Sequence, residues 1–231
     1  MTQSPHPPEH FPTERFPTER SALMLAGPAG ALECVCDVPD DHDTRPATIV
    51  ICHPHPQHGG SMQNKVVTIL ERSMRELGLR TVRFNFRGVG ASEGEFDDGD
   101  GETHDLLAVV EWVQRTRPSD ELWLGGFSFG AYVSLKAAQR LQLGQLISIA
   151  PPVGRYEFSE LPHPGCPWLV VQGDRDELVD IDQVRSWVTT LEPEPNLAVM
   201  ELADHFFHHR LMDLRSLLKN GVRARWPNAS A

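Results

Sequence analysis

Residues 125–139 read GGFSFGAYVSLKAAQ. The apolar run ELWLGGF (121–127) leads into this stretch and a helical pattern leaves it, so it is predicted to be strand, sharp turn and helix. Gly126, Ser128 and Gly130 occupy the G-x-S-x-G positions. A serine held at such a turn sits in strained backbone, with its hydroxyl lifted over the sheet at a helix N-terminus. Side chains two residues to either side would collide, which is why both flanking positions are glycine. Ser128 is therefore the candidate nucleophile.

Outward from this turn the chain alternates. Strand-like runs are ALECVCDV (31–38), ATIVIC (47–52), RTVRFNF (80–86), ELWLGGF (121–127), QLISIA (145–150), WLVVQ (168–172) and NLAVMEL (196–202). Between many of them lie helical stripes: Val66, Val67, Leu70, Met74 and Leu77; Leu106, Val109, Val110 and Val113; Val184, Trp187, Val188 and Leu191; Phe207, Leu211, Leu214 and Leu218. Strands alternating with amphipathic helices predict an α/β fold, a mostly parallel sheet with helices on both faces. In such sheets sites gather at the carboxyl ends of strands. Only residues 151–167, rich in Pro and Gly, separate QLISIA from WLVVQ. That is too short for a cap domain, so the space over the sheet should be open.

A serine hydroxyl needs a base, and the base needs an orienting carboxylate. In this strand order the carboxylate precedes the histidine. GDRDELVD (173–180) follows WLVVQ, and ADHFFHHR (203–210) follows NLAVMEL. Asp174 is close to the strand end; Asp176 has more room to swing over the sheet edge and is the choice. Asp180 and Asp182 precede a helix and read as first-turn or cap residues. Asp174, Glu177 and Asp180 fit a solvated acidic loop. His205 is the first histidine able to leave the strand end and is the predicted base. His208 and His209 are expected inside the following helix, carried away from the sheet edge.

Together the motifs resemble the α/β-hydrolase superfamily, and more narrowly its small, lidless bacterial hydrolases near the dienelactone hydrolase and prolyl oligopeptidase branches. The segments are CHPHPQHGGSMQNKVV (52–67), RFNFRGVGASEGEFDDG (83–99), GGFSFGAYVSL (125–135), GDRDELV (173–179) and ADHFF (203–207). The resemblance implies an eight-stranded sheet without a separate cap and a triad falling on Ser128, Asp176 and His205. It places the acid last in a G-x-x-D pattern, here Gly173 to Asp176. Dienelactone hydrolases carry a cysteine nucleophile and haloalkane dehalogenases an aspartate, whereas residue 128 is serine.

Acyl transfer also needs donors aimed at the developing oxyanion. One is the N–H of Phe129, the residue after the nucleophile. The other is expected from ICHPHPQHGG (51–60). Pro54 and Pro56 have no N–H. The resembling family uses the residue after a His-Gly pair; His53-Pro54 stands there, which leaves the N–H of His55. The imidazole of His53 is expected to brace the loop. A competing reading gathers His53, His55 and His58 with His205, His208 and His209 into a zinc site, but the spacing matches no familiar zinc motif. FRGVGASEG (86–94) matches no phosphate-binding spacing, and Arg87 reads as half of a structural ion pair.

Composition sets the remaining bounds. The chain has 231 residues and a formal net charge of −11, which argues against a general nucleic-acid footprint. No apolar stretch is long enough to span a membrane, and the charged start and apolar core of a signal peptide are missing. Cys34, Cys36, Cys52 and Cys166 form no CxxC pair or disulfide framework, so a reduced, cytoplasmic chain is expected. Residues 1–20 hold FPTERFPTER, a five-residue unit present twice, and read as a disordered Pro-rich tail or, alternatively, a docking motif. Residues 21–225 are expected to form a single hydrolase domain. The expected function is cleavage of carboxylic esters or related small acyl compounds, without cofactor, metal, nucleic acid or membrane. A thioesterase or an amidase or peptidase would share every residue named. A histidine-rich metal binder and a catalytically silent scaffold are the alternatives of another class.

Overall fold

The structure, a computed structural model, describes residues 14–39 and 44–223. Eight strands form one sheet: β1 (Ser21–Gly27), β2 (Gly30–Asp37), β3 (Ala47–Cys52), β4 (Arg80–Phe84), β5 (Glu121–Phe127), β6 (Gln145–Ile149), β7 (Trp168–Gly173) and β8 (Asn196–Met200). Their spatial order is β1-β2-β4-β3-β5-β6-β7-β8. The β1–β2 and β2–β4 pairs are antiparallel, and every other pair is parallel. Among the described residues five α-helices complete the fold: α1 (Lys65–Arg75), α2 (Asp100–Thr116), α3 (Phe129–Ala138), α4 (Ile181–Val188) and α5 (Leu211–Arg223). The expected α/β-hydrolase architecture is the one observed.

The central strands are apolar on both faces because both faces are covered. In β3, Ile49 and Ile51 face one core, built with Val67, Leu70 and Met74 of α1 and Leu214 and Leu218 of α5. Val50 and Cys52 face the other, with Leu106 and Val110 of α2 and Val133 of α3. In β7 the same alternation sends Leu169 and Val171 to the first core and Trp168 and Val170 to the second. Sheet register thus decides which face each strand end presents. A one-residue slip would exchange the two sets.

Several expectations change. The seven anticipated runs are β2 to β8; β1, SALMLAG, was not among them. It is an edge strand with only Leu25 buried, so it lacks a continuous apolar signal. Its hairpin partner begins at Gly30, whose φ of 123° suits glycine. The expected tail is outside the described residues as far as residue 13. Beyond that, the second FPTER unit is anchored by its first residue: Phe16 is buried and stacks on Trp112 of α2 at 5.4 Å, while Thr18, Glu19 and Arg20 are exposed. Arg20 approaches Asp37 at 3.6 Å.

His208 and His209 are not inside a helix, because α5 starts only at Leu211. Phe207 and His209 have φ of 54° and 59°, in the left-handed region that a helix excludes. The Asp204 carboxylate accepts the His208 N–H at 2.9 Å, closing a turn ahead of the helix. Phe207 still belongs to the buried stripe, reached from the turn. All four cysteines are free and buried. Among the described residues no helix is long and apolar enough to cross a membrane.

Candidate active site

The sharp turn after β5 carries Ser128 at φ 53° and ψ −121°, a conformation costly for a residue with a side chain. The flanking glycines let the chain tolerate it. A Cβ on Gly126 would lie 2.1 Å from the Gly130 carbonyl oxygen. A Cβ on Gly130 would lie 2.4 Å from the Cys52 carbonyl oxygen and 2.6 Å from that of His53. The turn is therefore wedged against the end of β3, and α3 begins at the next residue.

The loops after β7 and β8 bring two side chains to this serine. His205 Nε2 lies 3.0 Å from Ser128 Oγ. His205 Nδ1 lies 2.7 Å from Asp176 Oδ2. With Nδ1 donating to the carboxylate, Nε2 is left to accept from the serine hydroxyl. The Asp176 side chain is shielded from solvent, although the residue as a whole is half-buried. Gln172 Nε2 donates to its Oδ2 at 2.8 Å, and the N–H groups of Leu178 and Val179 donate to its Oδ1, each at 2.8 Å. Burial alone would raise the Asp176 pKa. The hydrogen bond and charge of His205 and the two backbone donors outweigh it, holding the carboxyl below its usual value. The imidazole is packed against Phe127 at 5.2 Å and Phe206 at 5.1 Å.

The acid loop also grips the histidine loop. Glu177 Oε2 accepts the His205 N–H at 3.2 Å, and Asp174 Oδ1 accepts the Leu202 N–H at 2.5 Å. The Arg175 N–H donates to the Ala203 carbonyl at 3.0 Å. Gly173 allows this contact, since a Cβ there would lie 2.3 Å from the Ala203 carbonyl oxygen. Asp174 and Glu177 are thus not the merely solvated acids expected. Asp180 does cap α4, accepting the Asp182 N–H at 2.9 Å. Gln172 was not anticipated either; a polar residue ending an otherwise apolar buried strand was its signal.

The loop after β3 is organised around His53, which is fully buried. Its Nε2 accepts the Phe86 N–H at 3.0 Å and its Nδ1 donates to the Pro54 carbonyl at 2.6 Å. Both nitrogens are used in one neutral tautomer. Burial pushes its pKa down to about 4, against the opposing bond to Pro54. His55 has φ −51° and ψ 121°, and its carbonyl accepts from the N–H groups of both His58 and Gly60. Among the described residues, neither the His55 N–H nor the Phe129 N–H donates to a protein acceptor. The His55 ring packs on Phe129 at 5.1 Å and stacks on His58 at 4.3 Å.

These groups open into a cleft of about 410 Å³ that includes Ser128, His205, His55, Tyr156 and Arg155. Its outer wall is the short 151–167 segment, which carries one 3₁₀ turn (Phe158–Glu160). His55, His58 and His205 line this one cleft, whereas the His53 ring is spent on backbone groups. Among the described residues no group of three or more His, Cys, Asp or Glu side chains is placed to hold a metal ion. Arg87 is spent on Asp105 through two bonds of 3.0 and 2.8 Å.

Comparison with known proteins agrees with this architecture. A family model described as "Alpha/beta hydrolase domain" matches residues 46–224. An uncharacterized protein of Rickettsia prowazekii is 36% identical over 171 residues, 70% of this chain and 72% of its own. A crystal structure from Xanthomonas campestris, described as an α/β serine hydrolase without a lid, is similar with a TM-score of 0.90 and 55% identity, covering 94% of this chain and 99% of that one. An α/β serine hydrolase homologue from Coxiella burnetii is similar with a TM-score of 0.87 and 47% identity, covering 90% and 99%.

Proposed function

The chain belongs to the alpha/beta hydrolase family, and we propose that it is a serine hydrolase that cleaves carboxylic esters or closely related acyl compounds. The observation that carries the reading is the continuous relay from Ser128 Oγ through His205 to Asp176, with bonds of 3.0 and 2.7 Å. Ser128 Oγ attacks the acyl carbon while His205 Nε2 takes its proton. Asp176, held ionised by its donors, supports the imidazolium that forms. The N–H groups of Phe129 and His55 receive the oxyanion, each donor contributing about 3 kcal/mol to the transition state. His205 then gives its proton to the leaving alcohol. Water, deprotonated by the same nitrogen, attacks the acyl-enzyme and releases the acid and free Ser128. The substrate is a small acyl compound reaching an open cleft.

A fluorophosphonate probe tests this directly. The wild-type chain is expected to be labelled and Ser128→Ala is not. Equal labelling of both, or of neither, overturns the assignment. A p-nitrophenyl ester series on the pure protein, with and without EDTA, then reads acyl preference and metal dependence together.

A further inference from the structure

Arg155 stands on the loop after β6 and lines the same cleft as Ser128 and His205. Other arginines held against this fold are neutralised: Arg80 by Asp120, Arg83 by Asp37 and Arg87 by Asp105. Arg155 is not. The residue is exposed, and its Nε donates to the Leu178 carbonyl at 3.2 Å, which tethers the guanidinium beside the cleft. Among the described residues no carboxylate lies within ion-pair distance of it, and its terminal nitrogens bond to no protein group.

Carboxylates do lie nearby: Arg155 also lines a second recess, together with Asp174, Asp176, Glu177 and Asp180. Each is already engaged. Asp176 holds His205, Glu177 the His205 N–H, Asp174 the Leu202 N–H and Asp180 the Asp182 N–H. Arg155, which lines the cleft, therefore keeps an unspent fork of donors and a positive charge, in a chain whose net charge is −11. Planar bidentate donors of this kind match carboxylate oxygens.

We propose that Arg155 is a specificity-determining residue that receives an anionic end of the acyl group. The preferred substrates are then esters whose acyl part carries a second, free carboxylate, the hemiesters of dicarboxylic acids. This rests on the serine hydrolase reading. The acyl part is the one that matters, because it stays bound to Ser128 through the acyl-enzyme. A contact to it acts in both half-reactions, whereas a contact to the alcohol is lost with the leaving group.

The test compares p-nitrophenyl hemiesters of succinic and glutaric acid with neutral p-nitrophenyl alkanoates of matched length. The quantity read is the ratio of kcat/KM for anionic over neutral ester. In Arg155→Gln that ratio is expected to fall about tenfold, the size of one exposed charge-assisted contact. Arg155→Lys is expected to retain part of it, and added NaCl to lower it in the wild-type chain. A ratio that is the same in wild type and Arg155→Gln at low salt, with neutral esters still hydrolysed, overturns the role of Arg155 and leaves the hydrolase reading standing. Failure to hydrolyse either ester class, with no fluorophosphonate labelling of Ser128, overturns both.

Discussion

Two histidine-rich loops meet over the carboxyl ends of the strands and do opposite things with the same residue type. The loop after β8 presents an imidazole: His205 points both nitrogens along the Ser128–Asp176 line. The loop after β3 hides one. His53 spends both nitrogens on backbone groups, and its neighbour His55 lines the cleft. The difference comes from what surrounds each ring. A carboxylate with three further donors faces the ring of His205, while the His53 ring bonds only to backbone groups and burial disfavours its charged form. On the proposed function, one loop moves protons and the other sets backbone geometry.

The largest effects should come from the proton-moving side. His205→Ala is expected to lower kcat/KM on a p-nitrophenyl ester about 10⁶-fold, the usual loss when such a base is removed, and Ser128→Ala about equally. Asp176→Asn keeps the shape but loses the charge and the acceptor for the Nδ1 proton. It should cost about 10⁴-fold. Loss of less than about tenfold in His205→Ala, measured on the folded variant, would remove the distinction between the loops.

The backbone side makes a sharper demand, because side-chain and main-chain contributions separate at one residue. His55 has φ −51°, within the range proline adopts. His55→Pro therefore removes the N–H with little change of backbone. It is expected to lower kcat about 10²- to 10³-fold, as for one oxyanion donor. His55→Ala keeps the N–H and should cost less than about tenfold, through lost packing on Phe129 and His58. Equal losses in the two variants would place the function in the ring instead.

How much of this was legible in the sequence follows the same division. Ser128, Asp176 and His205 stand at strand ends in a fixed order, and chemistry that needs a side chain leaves a residue type to read. Apolar runs such as ATIVIC and WLVVQ, alternating with helical stripes, announced a parallel sheet covered on both faces. Backbone conformation leaves less trace. Nothing in HFFHHR announces left-handed Phe207 and His209, so the helix was expected to begin too early. Edge strand β1 buries only Leu25 and so lacks an apolar run. Glu177 acts through a contact between loops 28 residues apart, which no local pattern encodes, whereas Gln172 reaches Asp176 only four residues on and left a trace as the polar residue near the end of an apolar strand.

His53 predicts a pH effect on stability. Its folded pKa of about 4 lies below the unfolded value of 6.5. Between those values the unfolded chain holds a proton that the native chain does not. Stability from this residue is thus complete above pH 6.5 and lost as pH falls toward 4. The full window amounts to about 3 kcal/mol as an order of magnitude. Urea unfolding of the wild type across that window should show the loss, and His53→Gln, which does not titrate, should show a shallower slope. Parallel pH profiles would mean that the His53 ring is not held neutral in the fold.

The smallest effect asks how the two loops stay in register. Glu177 touches no reacting atom; it accepts the His205 N–H at 3.2 Å, at the edge of a useful bond and exposed to water. It is a positioning residue, so its loss should appear in kcat with KM unchanged. Glu177→Ala is expected to lower kcat about fivefold, the size of one modest hydrogen bond. Glu177→Gln retains an oxygen acceptor at the same reach and should restore most of the loss. A charge effect would behave otherwise, since the Gln variant would then resemble Ala and the acid limb of the kcat–pH profile would move equally in both. Rescue by Gln, with that limb moved less than in Ala, separates a clasp that holds the His205 backbone from a carboxylate that merely raises the local negative potential.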